Sequence, residues 1–429
     1  MNSSVELSNE AQDLLGEIFL HENKESYWKN RFESLSEKED MMLRGCFEEL
    51  EDDKFIKVLW GDNIPIQIKI LKAGYSYKIQ ENKIEIIRLE NFTVFENFKL
   101  ELSRGVNIFV GENGTGKTHL LKILYAVCLI SSNPNLGGEV LRKCFNEEAT
   151  ANNLLRDNNS PNLFTSVLPE TIESKKTFEI QTIPPDIDEL RKFNPTSKKI
   201  DFKRHILELP QNVNYSATYI PVKDMLTHSK GLLAMASKYR DFPFDKTLTD
   251  IIVKASQWKL KQVPKLAKSI IPLLEEMIDG QVIFENEEFY VQKRDGRKVN
   301  FAVEAEGLKK IGLLWQLLMT ESITENSIIL WDEPEANLNP KFLPKLAECL
   351  LELSRQNVQI FISTHNYILA KYFNVRAKST DKILFHSLYF QDGSVTAESN
   401  KVFSELKNNA IISTFNELLD EVYDLNIGD

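Results

Sequence analysis

Gly111-Glu112-Asn113-Gly114-Thr115-Gly116-Lys117-Thr118 is the stretch that decides the reading of this 429-residue chain. It satisfies G-x-x-x-x-G-K-[ST] at every fixed position. The apolar run VNIFV, residues 106–110, precedes it, and HLLKILYAVCLI, residues 119–130, follows with helical spacing. The motif therefore falls between a buried strand and a helix. Glycines let the backbone wrap so that its N–H groups face an anion, and the helix N-terminus adds positive potential at the same place. Lys117 can then reach phosphate oxygens and Thr118 can offer a hydroxyl to Mg2+. The binding set predicted here runs from Gly111 through Thr118 and includes the adjoining His119.

Outward from this stretch, SIILWDEPEANLNP, residues 327–340, supplies a second half. Apolar residues ending in Asp332-Glu333 predict a buried strand that delivers Asp332 to the metal beside Thr118. Glu333 then falls where it can polarise an attacking water. A third element, VQIFISTHN at 358–366, predicts another strand ending at His365. A histidine in that position can sense the terminal phosphate, although a lone histidine at a strand end also has the plain reading of a solvated side chain. The expected catalytic set is Glu333, Lys117 and His365, the expected metal set Thr118 and Asp332, and the expected ligands ATP and Mg2+.

The chain divides by pattern into a module over residues 1–82 and a remainder over 83–429. In the first, LSNEAQDLLGEIF and SEKEDMMLRGCFEELEDD have helical spacing, and FIKVLW and IPIQIKIL alternate as two strands around a GDN turn. Helices followed by a small hairpin, with Gly74 closing the segment, resemble a winged helix. Its last helix carries eight acidic residues (Glu37, Glu39, Asp40, Glu48, Glu49, Glu51, Asp52, Asp53) against Lys38, Arg44 and Lys54. That charge favours protein docking over DNA readout, because phosphate binding draws on cationic side chains.

In the remainder, KIEIIRLENF reads as a strand before the phosphate-binding stretch. Ile328–Leu330 and Ile360–Ile362 read as parallel strands joined by the helix PKLAECLLELSRQ. Residues from about 132 to 300 read as a long insertion. It has Asn-rich stretches (NNLLRDNNSPN), then a helical run over 248–279, then strands over 282–303 with a turn at Asp295-Gly296. Within the helical run, Lys254, Lys259, Lys261, Lys265 and Lys268 accompany Trp258, a combination suited to nucleic acid or an acidic partner, or to a solvated face. No heptad pattern persists through the insertion, which excludes a long antiparallel coiled coil.

Composition bounds these readings. The chain is 42% hydrophobic and 27% charged, with Gly 17 and Pro 15, which suits folded domains and excludes fibrous or low-complexity classes. No apolar run is long enough to span a membrane, and the N-terminus lacks the pattern of an export signal. Cys46, Cys128, Cys144 and Cys349 are scattered, so a reduced cytoplasmic protein without a structural zinc site is expected. Residues 1–82 hold 10 Lys and Arg against 17 Asp and Glu, a net of −7 within the chain's −11.

GENGTGKT, LWDEPEANLNP and FISTHN resemble the Walker A motif, the Walker B motif with its D-loop, and the switch histidine of ABC-type ATPases. More narrowly they are similar to the prokaryotic AAA/OLD-like group of phage-defence systems, whose first strands contain a pattern like ENFTVFENFKLEL. YIPVKDML, residues 219–226, looks like the Q-loop region, with Lys223 and Asp224 where an ABC protein has its metal-sensing glutamine. The resemblance implies an α/β fold with an ABC-type P-loop head. It also implies head-to-tail oligomers, in which the D-loop (Asn337, Leu338, Asn339) and a signature helix close over the nucleotide of a second copy. The signature departs from the family's Ser-Gly-Gly: its counterpart is Ala305-Glu306-Gly307, where Glu306 faces phosphate unless Lys309 or Lys310 offsets it. An ordinary amphipathic helix, GLKKIGLLWQLLM, is the alternative.

OLD-class proteins carry a Toprim nuclease on the same chain. The 64 residues after His365 contain no clustered carboxylates of that kind. The resemblance therefore points to the separate ATPase subunit of two-gene systems of the PARIS, Septu or AbiL type, which controls a separately encoded effector. A DNA-repair or DNA-maintenance ATPase is the alternative in which the lysines contact DNA. A transporter subunit is the third reading, disfavoured by the altered signature and the missing Q-loop glutamine. Nucleic acid is not the favoured partner, and no membrane partner is expected.

Overall fold

The computed structural model describes residues 25–61, 63–71, 83–133, 137–145, 156, 162–168, 175–182, 203–210, 213–238 and 244–427, with positions 8, 11, 14, 15, 17 and 18. Its contacts separate into two units, Met1–Asn82 and Lys83–Asp429.

In the smaller unit, helices α1 (Glu25–Glu33) and α2 (Glu37–Asp52) lead into an antiparallel hairpin, β1 (Ile56–Gly61) and β2 (Ile64–Ile70). Ser36 starts α2, its N–H donating to Glu39 at 2.9 Å in a capping box. Leu43, Phe47 and Leu50 line the buried face of α2 and pack with Trp28, Ile56 and Ile68. Arg44 fastens helix to hairpin: its guanidinium lies over Trp60 and donates to the Asn63 carbonyl at 2.8 Å. Helix α1 carries few apolar residues in its sequence, with Trp28 and Phe32 spaced at i,i+4, and has no counterpart in the sequence reading. Of the helix expected over 7–19, Ala11, Leu14, Leu15 and Ile18 are described and buried. Gly74 lies outside the described residues.

The larger unit is mixed α/β. Strands β3 (Ile86–Phe92), β4 (Phe95–Glu101) and β5 (Val106–Gly111) are followed by helices α3 (Lys117–Ser132) and α4 (Gly137–Cys144). Next come β6 (Asn162–Ser166), β7 (Lys175–Thr182), β8 (Lys203–Pro210) and β9 (Ala217–Ile220), then α5 (Leu232–Lys238), α6 (Lys246–Ala255) and α7 (Ile271–Ile278). A meander of β10 (Gly280–Glu285), β11 (Glu288–Lys293) and β12 (Lys298–Asn300) leads to α8 (Glu306–Met319). The chain continues through β13 (Ile328–Asp332), α9 (Leu343–Arg355), β14 (Gln359–Ser363), α10 (Tyr367–Arg376), β15 (Ile383–Gln391), β16 (Ser394–Asn400) and α11 (Ala410–Ile427).

The central sheet has the order β16-β15-β5-β14-β13-β9, with every pair parallel except β15 and β16. Its inner strands are apolar on both faces because both faces are covered. Val106, Ile108, Ile329, Trp331, Ile360 and Ile362 face the core under α6 to α10. Phe109, Ile328, Leu330 and Phe361 face the opposite core, built on α3 and the second sheet. That second sheet has the order β4-β3-β6-β8-β7.

Two features differ from the sequence reading. The interval from 132 to 300 is not set apart from its flanks: β6 and β8 continue the sheet begun by β3, and β9 forms an edge of the central sheet beside β13. The polar sequences around these strands concealed them. The helical run over 248–279 is also broken, since α6 ends at Ala255 and α7 begins at Ile271. Pro264 bars helical backbone at Val263, but α6 has already ended at its C-cap Ser256. Lys259 and Lys261 therefore lie outside any helix.

Candidate functional site

Strand β5 ends where the glycine-rich turn begins, and α3 starts at Lys117, so the motif forms the strand–turn–helix that its flanks predicted. Gly116 has φ +83°, and a Cβ there would lie 2.7 Å from the Val94 side chain, so only glycine fits. Thr115 is buried and donates to the Glu112 carbonyl at 2.8 Å, tightening the loop. Glu112, Asn113, Gly114 and Thr118 face solvent. Lys117 folds along the loop, its ammonium donating to the carbonyls of Gly111 at 2.9 Å and Glu112 at 2.8 Å. Burial lowers its pKa to about 8, against the opposing pull of the Asp332 and Glu333 carboxylates. His119 lies edge-on to Phe145, and burial holds its imidazole below the ordinary range.

The second half of the site arrives through sheet register. Asp332 ends β13 opposite Ser363, the end of β14. Its carboxylate accepts from the Thr118 hydroxyl at 2.9 Å and from the Ser363 hydroxyl, with the Tyr219 hydroxyl at 3.4 Å. Glu333 comes next with φ +47°, and its N–H donates to the Ser363 carbonyl at 3.1 Å. The Lys310 ammonium, reaching from α8, donates to the Glu333 carbonyl at 2.7 Å. Both residues of the Asp332-Glu333 pair are thus held by neighbouring elements.

His365 stands immediately before α10, whose first turn is capped by the Asn366 side chain accepting from the Leu369 N–H at 2.9 Å. Partial burial, and then the Lys117 charge, hold its imidazole below the usual range. The residue before it, Thr364, donates to Glu335 at 2.6 Å, and Glu335 also accepts from the His365 N–H at 3.2 Å. Burial raises the Glu335 carboxyl, and its second oxygen has no hydrogen-bond partner.

The signature segment opens α8 with Glu306. Gly307 is buried against the D-loop, where a Cβ would lie 2.4 Å from the Asn337 carbonyl. Lys309, and not Lys310, offsets Glu306: its ammonium lies 2.6 Å from Glu306 and 3.5 Å from Asp224 of the Q-loop region. These groups, with Asn337 and Lys223, line a cavity of about 460 Å3. A second cavity of about 690 Å3 lies between Gly111, Glu112, Asn113 and His365 on one side and α11 on the other.

Thr118 and Asp332 present hard oxygen donors side by side, a set that suits Mg2+ held jointly with phosphate and water oxygens. Among the described residues no cluster of three or more His, Cys, Asp or Glu could hold a metal without such help. Sequence reasoning did not assign Ser363, Tyr219, Glu335 or the Lys310 contact. Ser363 belongs to a quoted strand, whereas Tyr219 was quoted only with the Q-loop region and its strand β9 went unread. The Lys310 contact depends on how α8 lies against β13 and has no local signal.

Residues 87–277 match a family model described as "AAA domain", and residues 210–370 match one described as "AAA domain, putative AbiEii toxin, Type IV TA system". Both are models of an AAA domain, and together they span residues 87–370. A stretch of 49 residues is 47% identical to the DNA replication and repair protein RecF of Cytophaga hutchinsonii, covering 11% of this chain and 13% of that protein. The SMC head domain from Thermotoga maritima superposes with a TM-score of 0.37 and 14% identity, over 75% of this chain and 100% of that one. A nucleotide-free ATP-binding cassette from an ABC transporter gives 0.36 and 15%, over 76% of this chain and 95% of that one. No helix among the described residues is long and apolar enough to cross a membrane.

Proposed function

We propose that this chain binds and hydrolyses ATP at the site built on Lys117, Thr118, Asp332 and Glu333. The observation that carries the reading is the 2.9 Å hydrogen bond from Thr118 to Asp332, which joins the phosphate loop to the acidic strand end. Glycine-loop N–H groups and Lys117 bind the phosphates, with Lys117 exchanging its bonds to the Gly111 and Glu112 carbonyls for phosphate oxygens. Thr118 and Asp332 hold Mg2+, which when bound neutralises charge on the phosphates. Glu333 takes the proton of the attacking water as general base, while the contacts at its N–H and carbonyl keep it in place. His365 faces the terminal phosphate and, neutral near pH 7, accepts or donates one hydrogen bond there. Lys117→Ala should abolish ATP binding measured by calorimetry, and retained binding would refute the assignment.

For the output we propose an ABC-type, AAA/OLD-like sensor or scaffold ATPase of a two-component antiphage system. It would work in the cytoplasm as a head-to-tail oligomer and control a separate effector, with the 1–82 module as a winged-helix-like protein-docking element. The family description that mentions a toxin of a type IV TA system supports this direction, as does the acidic face of α2. Loss of phage protection in cells carrying Lys117→Ala tests it, and protection that is absent or independent of Lys117 would refute it. A DNA-maintenance ATPase is the second reading, favoured by the short match to RecF. Salt-sensitive stimulation of hydrolysis by DNA would support it.

A further inference from the structure

Helix α11 carries Ile411, Phe415, Leu418, Val422 and Leu425 at alternating spacings of four and three, the seam of a helix that packs along its length. The start of that seam is covered by its own chain. Ile411 packs on the main core, and Phe415 stacks on Tyr367 with ring centroids 4.0 Å apart. Beyond Phe415 the cover thins. Leu418 is 52% exposed, Tyr423 65% and Leu425 75%.

Glu417, Asp420, Glu421 and Asp424 flank the exposed part, and the helix contains no lysine or arginine. Two such helices laid together would set like charges side by side, so pairing of α11 with α11 is disfavoured. The surface it fits is apolar and cationic. The irregular segment between α6 and α7 is such a surface. Trp258 is 97% exposed, and Leu260 and Val263 are exposed near it. Lys261, Lys265 and Lys268 are exposed around them and form no ion pair among the described residues. Leu260 N–H bonds to the Met319 carbonyl at 2.8 Å, and Leu266 and Ala267 are buried, so the segment is held in place before anything docks.

A tryptophan this exposed makes almost no contact within its own chain. We propose that α11 of one copy docks on the Trp258 segment of a second copy of this chain, its acidic residues against the lysines. Because α11 also lines the cavity beside Glu112 and His365, this contact places the neighbouring copy next to the phosphate loop.

Sedimentation of the full chain without nucleotide tests this apart from any reading of ATP chemistry. Self-association of the wild type should weaken at least tenfold with Trp258→Ala and with Leu418→Asp, both at exposed positions where folding, checked by circular dichroism, should be unchanged. Charge reversal on either side, Lys261→Glu with Lys265→Glu or Glu421→Lys with Asp424→Lys, should weaken it similarly, and mixing the two reversed proteins should restore it. A monomeric wild type would overturn the proposal. So would association lost in the α11 variants but kept in the Trp258 and lysine variants, which would mean that another protein covers α11. Lysine variants that lose DNA binding while associating normally would assign the segment to nucleic acid and overturn it equally.

Discussion

The Thr118 hydroxyl donates to Asp332 Oδ2 at 2.9 Å across 214 residues of sequence. Three further groups fix the Asp332-Glu333 pair: Ser363 and Tyr219 at the Asp332 carboxylate, and Lys310 at the Glu333 carbonyl. The Thr118–Asp332 contact is a product of sheet order, because β5, β14 and β13 lie side by side.

Asp332→Asn keeps the side-chain size while removing the charge. Affinity for ATP with Mg2+ should fall roughly tenfold or more, about 1.4 kcal/mol, while affinity for ATP in chelator stays near the wild-type value. Titration calorimetry under both conditions checks the difference.

Lys310→Met removes the bond to the Glu333 carbonyl but leaves that oxygen the Ala336 N–H at 3.1 Å. The backbone stays paired, so the fold should hold while Glu333 loses one support. Steady-state hydrolysis should show kcat lowered by roughly tenfold with KM nearly unchanged, as for about 1–2 kcal/mol of lost positioning.

Gly307→Ala forces a methyl into a space where its Cβ would lie 2.4 Å from the Asn337 carbonyl. Backbone must move on one side, which should cost about 1–3 kcal/mol. Urea denaturation should show the lower midpoint, and the D-loop shift should also weaken any nucleotide-driven self-association.

Two buried histidines set an acid limit. His386 bridges Ser399 at 2.7 Å and Asn107 at 3.2 Å, and burial lowers its pKa to about 3; burial lowers that of His205 to about 4. Each folded pKa lies below the unfolded value of about 6.5, so the unfolded chain binds more protons and stability falls as pH drops from about 6.5 towards 3 to 4. At pH 5.5 each should cost on the order of 1 kcal/mol relative to neutral pH. His386→Asn should reduce the pH dependence of the denaturation midpoint, whatever its effect at pH 7.

The parts of this molecule that were legible in sequence are those whose chemistry repeats locally. The glycine-rich turn needed its strand and helix, and continuous apolar runs marked β5, β13 and β14 because both sheet faces are covered. The illegible parts depend on distant partners. Strands β6 and β9 are short and gain their place from β3 and β13, and β8 gains its place from β6 and β7, so an interval that read as an insertion proved continuous with both sheets. The choice between Lys309 and Lys310 at Glu306 turned on the orientation of α8, which spacing alone leaves open. Trp258 read as part of a lysine-bearing helix because its neighbours suit one, whereas α6 ends at its C-cap Ser256.

ATP turnover by Glu333→Gln measures the central claim most directly. The variant should bind ATP with Mg2+ as tightly as the wild type while hydrolysing it about a hundredfold or more slowly, the loss of a general base. Turnover equal to wild type at matched binding would contradict the account, because Glu333 would then have no part in activating water.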